Sequence, residues 1–334
     1  NRASAKAKAR ENGRRDADWD FGTNPCSEII LRPNQFCNLT EVVCRSTDTM
    51  DSLSHKIMIA TLLGTIQSTF TNFGYLRKRW QNNTEEERLL GVSLTGIMDC
   101  QVLNNLDGGL EKRLDTMKQE AIDTNKALAK KLGIPQSTAI TCVKPSGTVS
   151  QLVDSASGIH ARHNPYYIRT VRGDNKDPLT EFMIASGVPN EPDITKPEHT
   201  TVFSFPMSAP KGSVCRTDMT AIKQLEIWKV YAKHWCEHKP SVTISVKEDE
   251  WVPVGAWCWE NFEYLSGVSF LPFSDHTYQQ APYQDIDYKT YKKLAKGMPT
   301  DIDWNKLQEF EKEDNTKGSQ QLACTAGVCE LVDI

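Results

Sequence analysis

The chain has 334 residues, against roughly 100–200 for an ordinary domain, so it holds two domains or one large α/β unit. With 39 Lys and Arg against 43 Asp and Glu, the formal net charge of −4 excludes a polybasic nucleic-acid binder and an acidic disordered domain. Hydrophobic residues, at 39%, suffice for a core, yet the longest apolar stretches, residues 57–63 and 266–273, fall far short of the ~20 residues of a membrane helix, so no membrane span is expected.

The opening run NRASAKAKARENGRR is basic and polar and lacks the apolar segment of a secretory signal; residues 1–20 read as a mobile arm or helix end. A chain opening on Asn1 is expected to be cut or spliced from a longer parent. Residues 21–36 (FGTNPCSEIILRPNQF) read as a loop, because Gly, Asn-Pro and Pro-Asn break both the helical and the strand period. A short strand, CNLTEVV, follows. Apolar positions 53, 57, 59, 62, 63, 66, 70 and 73 fall at helical spacing, behind a cap at Asp51-Ser52. The continuously apolar run 88–98 reads as a strand buried on both faces, and 111–132 as an amphipathic helix stopped by Gly133 and Pro135. Further strands are predicted at 138–143, 201–205 and 242–246, and a long helix at 218–238. This alternation predicts an α/β fold with a mostly parallel sheet. From Asp301 the chain turns polar before ending in ACTAGVCELVDI.

Ten cysteines in 334 residues are too dilute for a disulfide-stapled secreted scaffold. A reducing cytoplasm is the expected compartment, with most thiols acting as small buried hydrophobes. Three groups of residues have the makings of chemistry. In Asn24-Pro25-Cys26-Ser27-Glu28 a loop carries a thiol two residues from a carboxylate, a pair suited to acid–base or radical work; the bland alternative is a buried Cys beside a solvated Glu. Cys37 lies eleven positions on, and with Cys26 it would suggest a metal or dithiol site, though no C-x-x-C or H-x₃-H accompanies it. Cys324 and Cys329 flank four residues on a tail behind a charged linker, where two thiols can close into a disulfide and exchange with an external reductant. A fourth feature, Lys144-Pro145-Ser146-Gly147-Thr148-Val149-Ser150, follows a strand and suits an anion cradle, or simply a helix cap. The cluster Arg77-Lys78-Arg79-Trp80 reads as a solvated helix end and not as a nucleic-acid surface.

NPCSE, then FCNL, then KPSGTVSQL, then a terminal Cys-x₄-Cys, in that order, resemble the catalytic half of ribonucleotide reductases. RLLGVSLTGIMD, SGIHARHNPYYIRTVR and SGVSFLPFSDHTYQQAPY resemble most the adenosylcobalamin-dependent (class II) ribonucleoside-triphosphate reductases, and the resemblance runs from Trp19 to Cys329. It implies a ten-stranded α/β barrel with a central finger loop, of which this chain supplies the C-terminal half at residues 21–300, followed by a flexible tail at 301–334. It also implies that Cys26 becomes a thiyl radical, that Glu28 is the base for the ribose 3′-hydroxyl and that Asn24 binds substrate, the three converging if the loop tip is extended. Cys37 would be one of the two thiols that reduce the 2′ carbon, Pro145 to Val149 the substrate-phosphate cradle, and Cys324 and Cys329 the relay to a thioredoxin-like reductant. Adenosylcobalamin is the implied cofactor, with no protein-held metal, a ribonucleoside di- or triphosphate the substrate, and the N-terminal half of the reductase a required partner. The adjacent tyrosine pair of the di-iron class and the glycyl-radical loop are absent, as is D-x-H-x-x-G. A thiol- or zinc-binding scaffold is the rival reading.

Overall fold

The computed structural model describes residues 2–273, 278–312, 320–325 and 328–333. In chain order the elements begin with α1 (Arg2–Glu11), β1 (Gly22–Thr23), β2 (Ile30–Leu31), β3 (Asn38–Val43), α2 (Met50–Gln67), α3 (Lys78–Glu87) and β4 (Leu90–Thr95). There follow α4 (Leu110–Leu132), β5 (Thr141–Cys142), α5 (Gly147–Leu152), β6 (Tyr166–Asp174), α6 (Pro178–Ala185), β7 (Asn190–Pro192) and β8 (Thr200–Ser208). The remainder are α7 (Ala221–His234), β9 (Val242–Val246), α8 (Trp251–Glu260), β10 (Val268–Pro272), β11 (Tyr283–Asp285), α9 (Tyr288–Lys296), β12 (Gln320–Thr325) and β13 (Val328–Asp333). They form two compact units, Asn1–Arg162 with Pro210–Ser274, and His163–Ala209 with Asp275–Ile334, a division that does not coincide with the expected boundaries at 20 and 300.

The first unit is built on parallel strands. β3 pairs with β4 from Asn38↔Leu90 to Val43↔Thr95, β4 pairs with β5, and β9 pairs with β10, all parallel. A parallel bridge between Val143 and Pro240 joins the two sets, so the spatial order is β3-β4-β5-β9-β10. Five parallel strands are present; a closed ten-stranded barrel is not formed by the described residues. β4 is buried at every position, including Ser93 and Thr95, as its largely apolar run predicts for a strand covered on both faces.

The helices α2, α4 and α7 supply the other side of the core. α2 starts at Thr49, whose hydroxyl accepts from Ser52 N, earlier than the sequence cap at Asp51. Its outer face leaves Met58, Ile59, Leu62, Leu63 and Ile66 exposed. α4 runs as predicted and ends at Gly133, whose φ of 67° needs no Cβ penalty. α7 begins only at Ala221, with Thr220 as its cap, and stops at His234 instead of 238. Apolar spacing continues past His234, but the backbone there leaves the helix to join the sheet, His238 N donating to Thr141 O at 2.9 Å. Trp235, Trp228 and Tyr231 are fully buried, and each donates its polar hydrogen to a backbone carbonyl, of Cys142, Pro240 and Leu103 respectively.

Within residues 3–20 several side chains are packed against the core. Ala5 and Ala9, one turn apart on α1, lie against Phe21 and Ile30, and Arg15 pairs with buried Glu87 at 2.7 Å. Arg77 to Arg79 are exposed, while Trp80 packs against Phe36 at 4.8 Å between ring centroids.

The second unit departs from the predicted parallel pattern. Its sheet, in the order β11-β6-β8-β7, is antiparallel throughout. β8 extends the predicted strand at 201–205 and is matched along nine residue pairs by β6, which alternation alone did not mark. Phe182 on α6 packs against Trp304 and Phe310, with centroids 5.4 and 5.5 Å apart. The backbone of β12 and β13 forms an antiparallel hairpin. Of the polar stretch expected from Asp301 onward, residues 313–319 lie outside the described residues. Among the described residues no helix is long and apolar enough to cross a membrane.

Candidate active site

The loop carrying Asn24, Cys26 and Glu28 is a finger closed by the antiparallel pair β1 and β2, with Thr23 opposite Ile30. Its tip is a turn and not an extended strand. Pro25 fixes φ at the second turn position, Ser27 N donates to Asn24 O at 3.0 Å, and Ser27 takes a φ of 64°. The expected i, i+2, i+4 convergence of three side chains on one side therefore fails at the level of backbone shape. Asn24 closes the turn instead: its carboxamide oxygen accepts from Ile29 N at 3.0 Å. Cys26 is exposed at the tip and Glu28 is 0% exposed, the reverse of a buried Cys beside a solvated Glu.

The finger is tied down from β9's approach. Lys239 N donates to Glu28 O at 2.9 Å, and Ile30 N donates to Nδ1 of fully buried His238 at 3.3 Å. His238 Nε2 donates in turn to Leu90 O at 2.9 Å, so one neutral imidazole bridges the finger and β4. Burial, then the charge of Arg15 and, less, those of Lys239 and Lys8, lower its pKa to about 3, opposed by the hydrogen bond to the Leu90 carbonyl.

Glu28 does not stand alone in the interior. Lys144 Nζ donates to its Oε1 at 2.9 Å across 116 positions of sequence, while Oε2 is buried without a hydrogen-bond partner. The Glu28 contact raises the Lys144 pKa over the opposing effect of burial, and Cys26 and Cys142 add to it. Cys37, partly buried at the foot of β3, lies against Gly91, where an added Cβ would stand 3.3 Å from its Sγ. Burial pushes the Cys37 thiol well above its usual range, Glu28 adds to this, and Arg15 and Lys144 oppose it. Cys26, Glu28 and Cys37 thus share the surroundings of one ammonium group. Glu41 on β3 belongs there too: burial raises its pKa against the pull of the Ser146 hydroxyl and Lys144, and its Oε1 lacks a partner.

The stretch 145–149 leads from β5 into α5. Ser146 is buried with a φ of 51°, whereas Gly147, Thr148 and Val149 are exposed on the first turn. Its shape is set from behind. Ser157 Oγ donates to the carbonyls of Pro145 and Ser146, and Gly158, at φ 53°, sits so close to Lys144 O that any Cβ would collide with it. Asp99 holds the 156–158 segment through Ala156 N and pairs with Arg162, each at 2.8 Å. On β12 and β13, Cys324 and Cys329 are direct Cα partners across the hairpin; of these two residues only the backbone is described. Among the described residues no group of three or more His, Cys, Asp or Glu is placed to hold a metal ion.

The residues missed by sequence reading are Lys144, Glu41 and His238. Lys144 opened the cradle motif, but nothing in its neighbours pointed to residue 28.

No protein-family profile matches the chain. Its fold is similar to part of a solved structure: a crystal structure of a B-12-dependent (class II) ribonucleotide reductase superposes with a TM-score of 0.74 over 88% of this chain and 44% of that one, at 23% identity. By sequence the chain is a homologue of adenosylcobalamin-dependent ribonucleoside-triphosphate reductases. It is 27% identical to that of Lactobacillus acidophilus over 93% of its length, and 27% identical to that of Euglena gracilis over 98%. A probable adenosylcobalamin-dependent ribonucleoside-triphosphate reductase of Dictyostelium discoideum is also 27% identical, over 93% of this chain. The chain spans about half the length of these relatives, 45% of the first two and 40% of the third.

Proposed function

We propose that this chain is the C-terminal catalytic portion of an adenosylcobalamin-dependent ribonucleotide reductase, converting ribonucleoside di- or triphosphates to 2′-deoxyribonucleotides by thiyl-radical chemistry. The observation that carries the reading is the finger: an exposed thiol, Cys26, two residues from a fully buried carboxylate with one oxygen unpartnered. Cys26 takes the ribose 3′ hydrogen, Glu28 Oε2 accepts the 3′-hydroxyl proton, and Asn24 shapes the turn that presents both. Cys37 is one of the two reducing thiols, and its burial keeps it protonated until it gives its hydrogen to the 2′ position. Ser146 and the first turn of α5 receive the phosphates.

Adenosylcobalamin, when bound, would supply the source of the radical, and Cys26 would be the residue whose thiol hydrogen is given up to it. The residues present fit that use, because the Cys26 thiol stands exposed where a bulky group can reach it. Cys324 and Cys329, facing one another in register, would form the disulfide relay to a thioredoxin-like reductant in a reducing cytoplasm.

A second polypeptide segment is part of the reading. Five parallel strands and the exposed α2 face with Met58, Ile59, Leu62, Leu63 and Ile66 are what a half-barrel awaiting its complement presents. The ten-stranded barrel closes when the N-terminal half is added. The test is reduction of a ribonucleoside triphosphate by this chain with and without that half, adenosylcobalamin and dithiol being supplied. Activity is expected only in the complex and only with Cys26 intact; full activity of the chain alone would overturn the half-barrel assignment.

A further inference from the structure

Position suggests that Lys144, immediately before the cradle Pro145-Ser146-Gly147, is a phosphate ligand. The structure gives its ammonium to a different group, Glu28 Oε1 at 2.9 Å. Its backbone allows little choice in this. Lys144 N donates to Ser93 Oγ on β4 at 2.9 Å, and Gly158 covers its carbonyl, so the residue is fixed from both sides. The side chain, 26% exposed, spans from the end of β5 to the finger, whose carboxylate is 0% exposed. A buried carboxylate with no counter-charge favours its neutral form, in which it cannot accept a proton. The charged and titratable groups around the ammonium are Glu28 and Cys26 on the finger, Cys37 and Glu41 at β3, and Cys142 on β5. Among these, Glu28 is the one bonded to it directly. One oxygen is occupied and the other, Oε2, is left as the acceptor.

We propose that Lys144 is a positioning residue of the reductase site: it holds Glu28 ionised and oriented, so that Oε2 receives the substrate hydroxyl proton, and it does not bind the substrate phosphates. This rests on the reductase reading above. It couples the finger to the cradle through one side chain, so that the group taking the proton and the loop taking the phosphates keep a fixed separation. The ion pair is partly buried, the setting in which a charge-assisted hydrogen bond orients most strongly.

The test uses the full-length protein, wild type against Lys144→Met and Lys144→Arg, with Lys144→Gln as a second neutral variant should Met disturb packing. Loss of positioning is expected to lower kcat ~10- to 100-fold, on the scale of a displaced catalytic group, with KM for CTP nearly unchanged. The Kd for CTP, measured calorimetrically without turnover, should likewise stay within a factor of ~3, a change of under 1 kcal/mol. The acid limb of the pH–rate profile should move to higher pH in the neutral variants and return in Lys144→Arg. A rise of KM and Kd by ~10-fold or more with kcat preserved would make Lys144 a phosphate ligand and overturn the proposal. So would an unaltered kcat and pH profile in both neutral variants. Failure of the reductase reading looks different: the wild-type protein would then show no adenosylcobalamin-dependent reduction, or Cys26→Ser would retain it.

Discussion

His238 makes the finger's attachment sensitive to acid, and the size of the effect follows from its surroundings. The imidazole accepts from Ile30 N and donates to Leu90 O, which requires the neutral form; a second proton on Nδ1 would remove the acceptor and place a charge in the core beside Arg15 and Lys239. Its pKa is about 3 in the fold against the ordinary 6.5. The unfolded chain therefore binds a proton below pH 6.5 that the folded chain refuses until near pH 3, so stability is fully present above 6.5 and falls as acid is added. A span of about 3.5 pH units at 1.36 kcal/mol each is ~5 kcal/mol across the window, or ~1.4 kcal/mol per pH unit within it. Urea midpoints followed by tryptophan fluorescence, at steps from pH 7 to 4, should show the wild type losing stability more steeply than His238→Gln by about that slope. Carboxylates and His160 titrate in both proteins and cancel in the difference. Parallel curves, or a His238 imidazole resonance titrating near pH 6, would refute the reasoning.

Other substitutions probe the site from different sides. Gly91→Ala places a Cβ 2.5 Å from Leu39 Cδ2, 3.1 Å from Ile29 Cδ1 and 3.3 Å from Cys37 Sγ; a destabilisation of ~1–3 kcal/mol is expected from overpacking, read by denaturant midpoint. In the reconstituted protein, Cys26→Ser should abolish nucleotide reduction with no change in unfolding midpoint, because the exposed thiol carries no packing. Glu28→Gln should slow turnover by ~10²–10⁴-fold, measured under saturating substrate. Replacing Cys324 and Cys329 together by Ser should leave one turnover per enzyme intact and stop thioredoxin-driven cycling; loss of the first turnover would assign the hairpin another role.

What could be read from the sequence is what depends on neighbours along the chain. β4 announced itself because a strand covered on both faces is rich in apolar residues, here Leu90, Val92 and Leu94 with only small polar residues between and after them, and α4 because one helix face is enough to fix its period. The chemical motifs were legible for a similar reason, since a thiol and a carboxylate two residues apart travel together on any loop. Antiparallel pairing of β6 with β8 was not legible: the sheet is held by nine residue pairs between segments some thirty positions apart, and neither strand alternates cleanly, with only Tyr167 and Thr170 buried along β6. The shape of the finger tip is not legible from breakers alone, because a Pro such as Pro25 ends regular structure without specifying which turn follows.

The supports of the site were hidden by distance and by a conflict between levels. Apolar spacing in α7 favours helix beyond His234, yet the backbone of 236–239 is worth more in the sheet, where His238 N and Lys239 N reach Thr141 and Glu28. Extending the helix would satisfy the same N–H groups locally and would leave the finger without its anchor and β5 without its neighbour on the side away from β4. Burial of Trp235, whose indole donates to Cys142 O, tips the balance by locking the chain's exit from the helix onto β5. Residues 235–239 therefore serve three masters at once: the core through Trp235, the sheet through His238 N, and the proposed base through Lys239 N. A segment whose conformation is set by three separate partners, none within ninety positions in sequence, has no local signature to read; the cost of removing any one of them should appear at the finger as well as in the core.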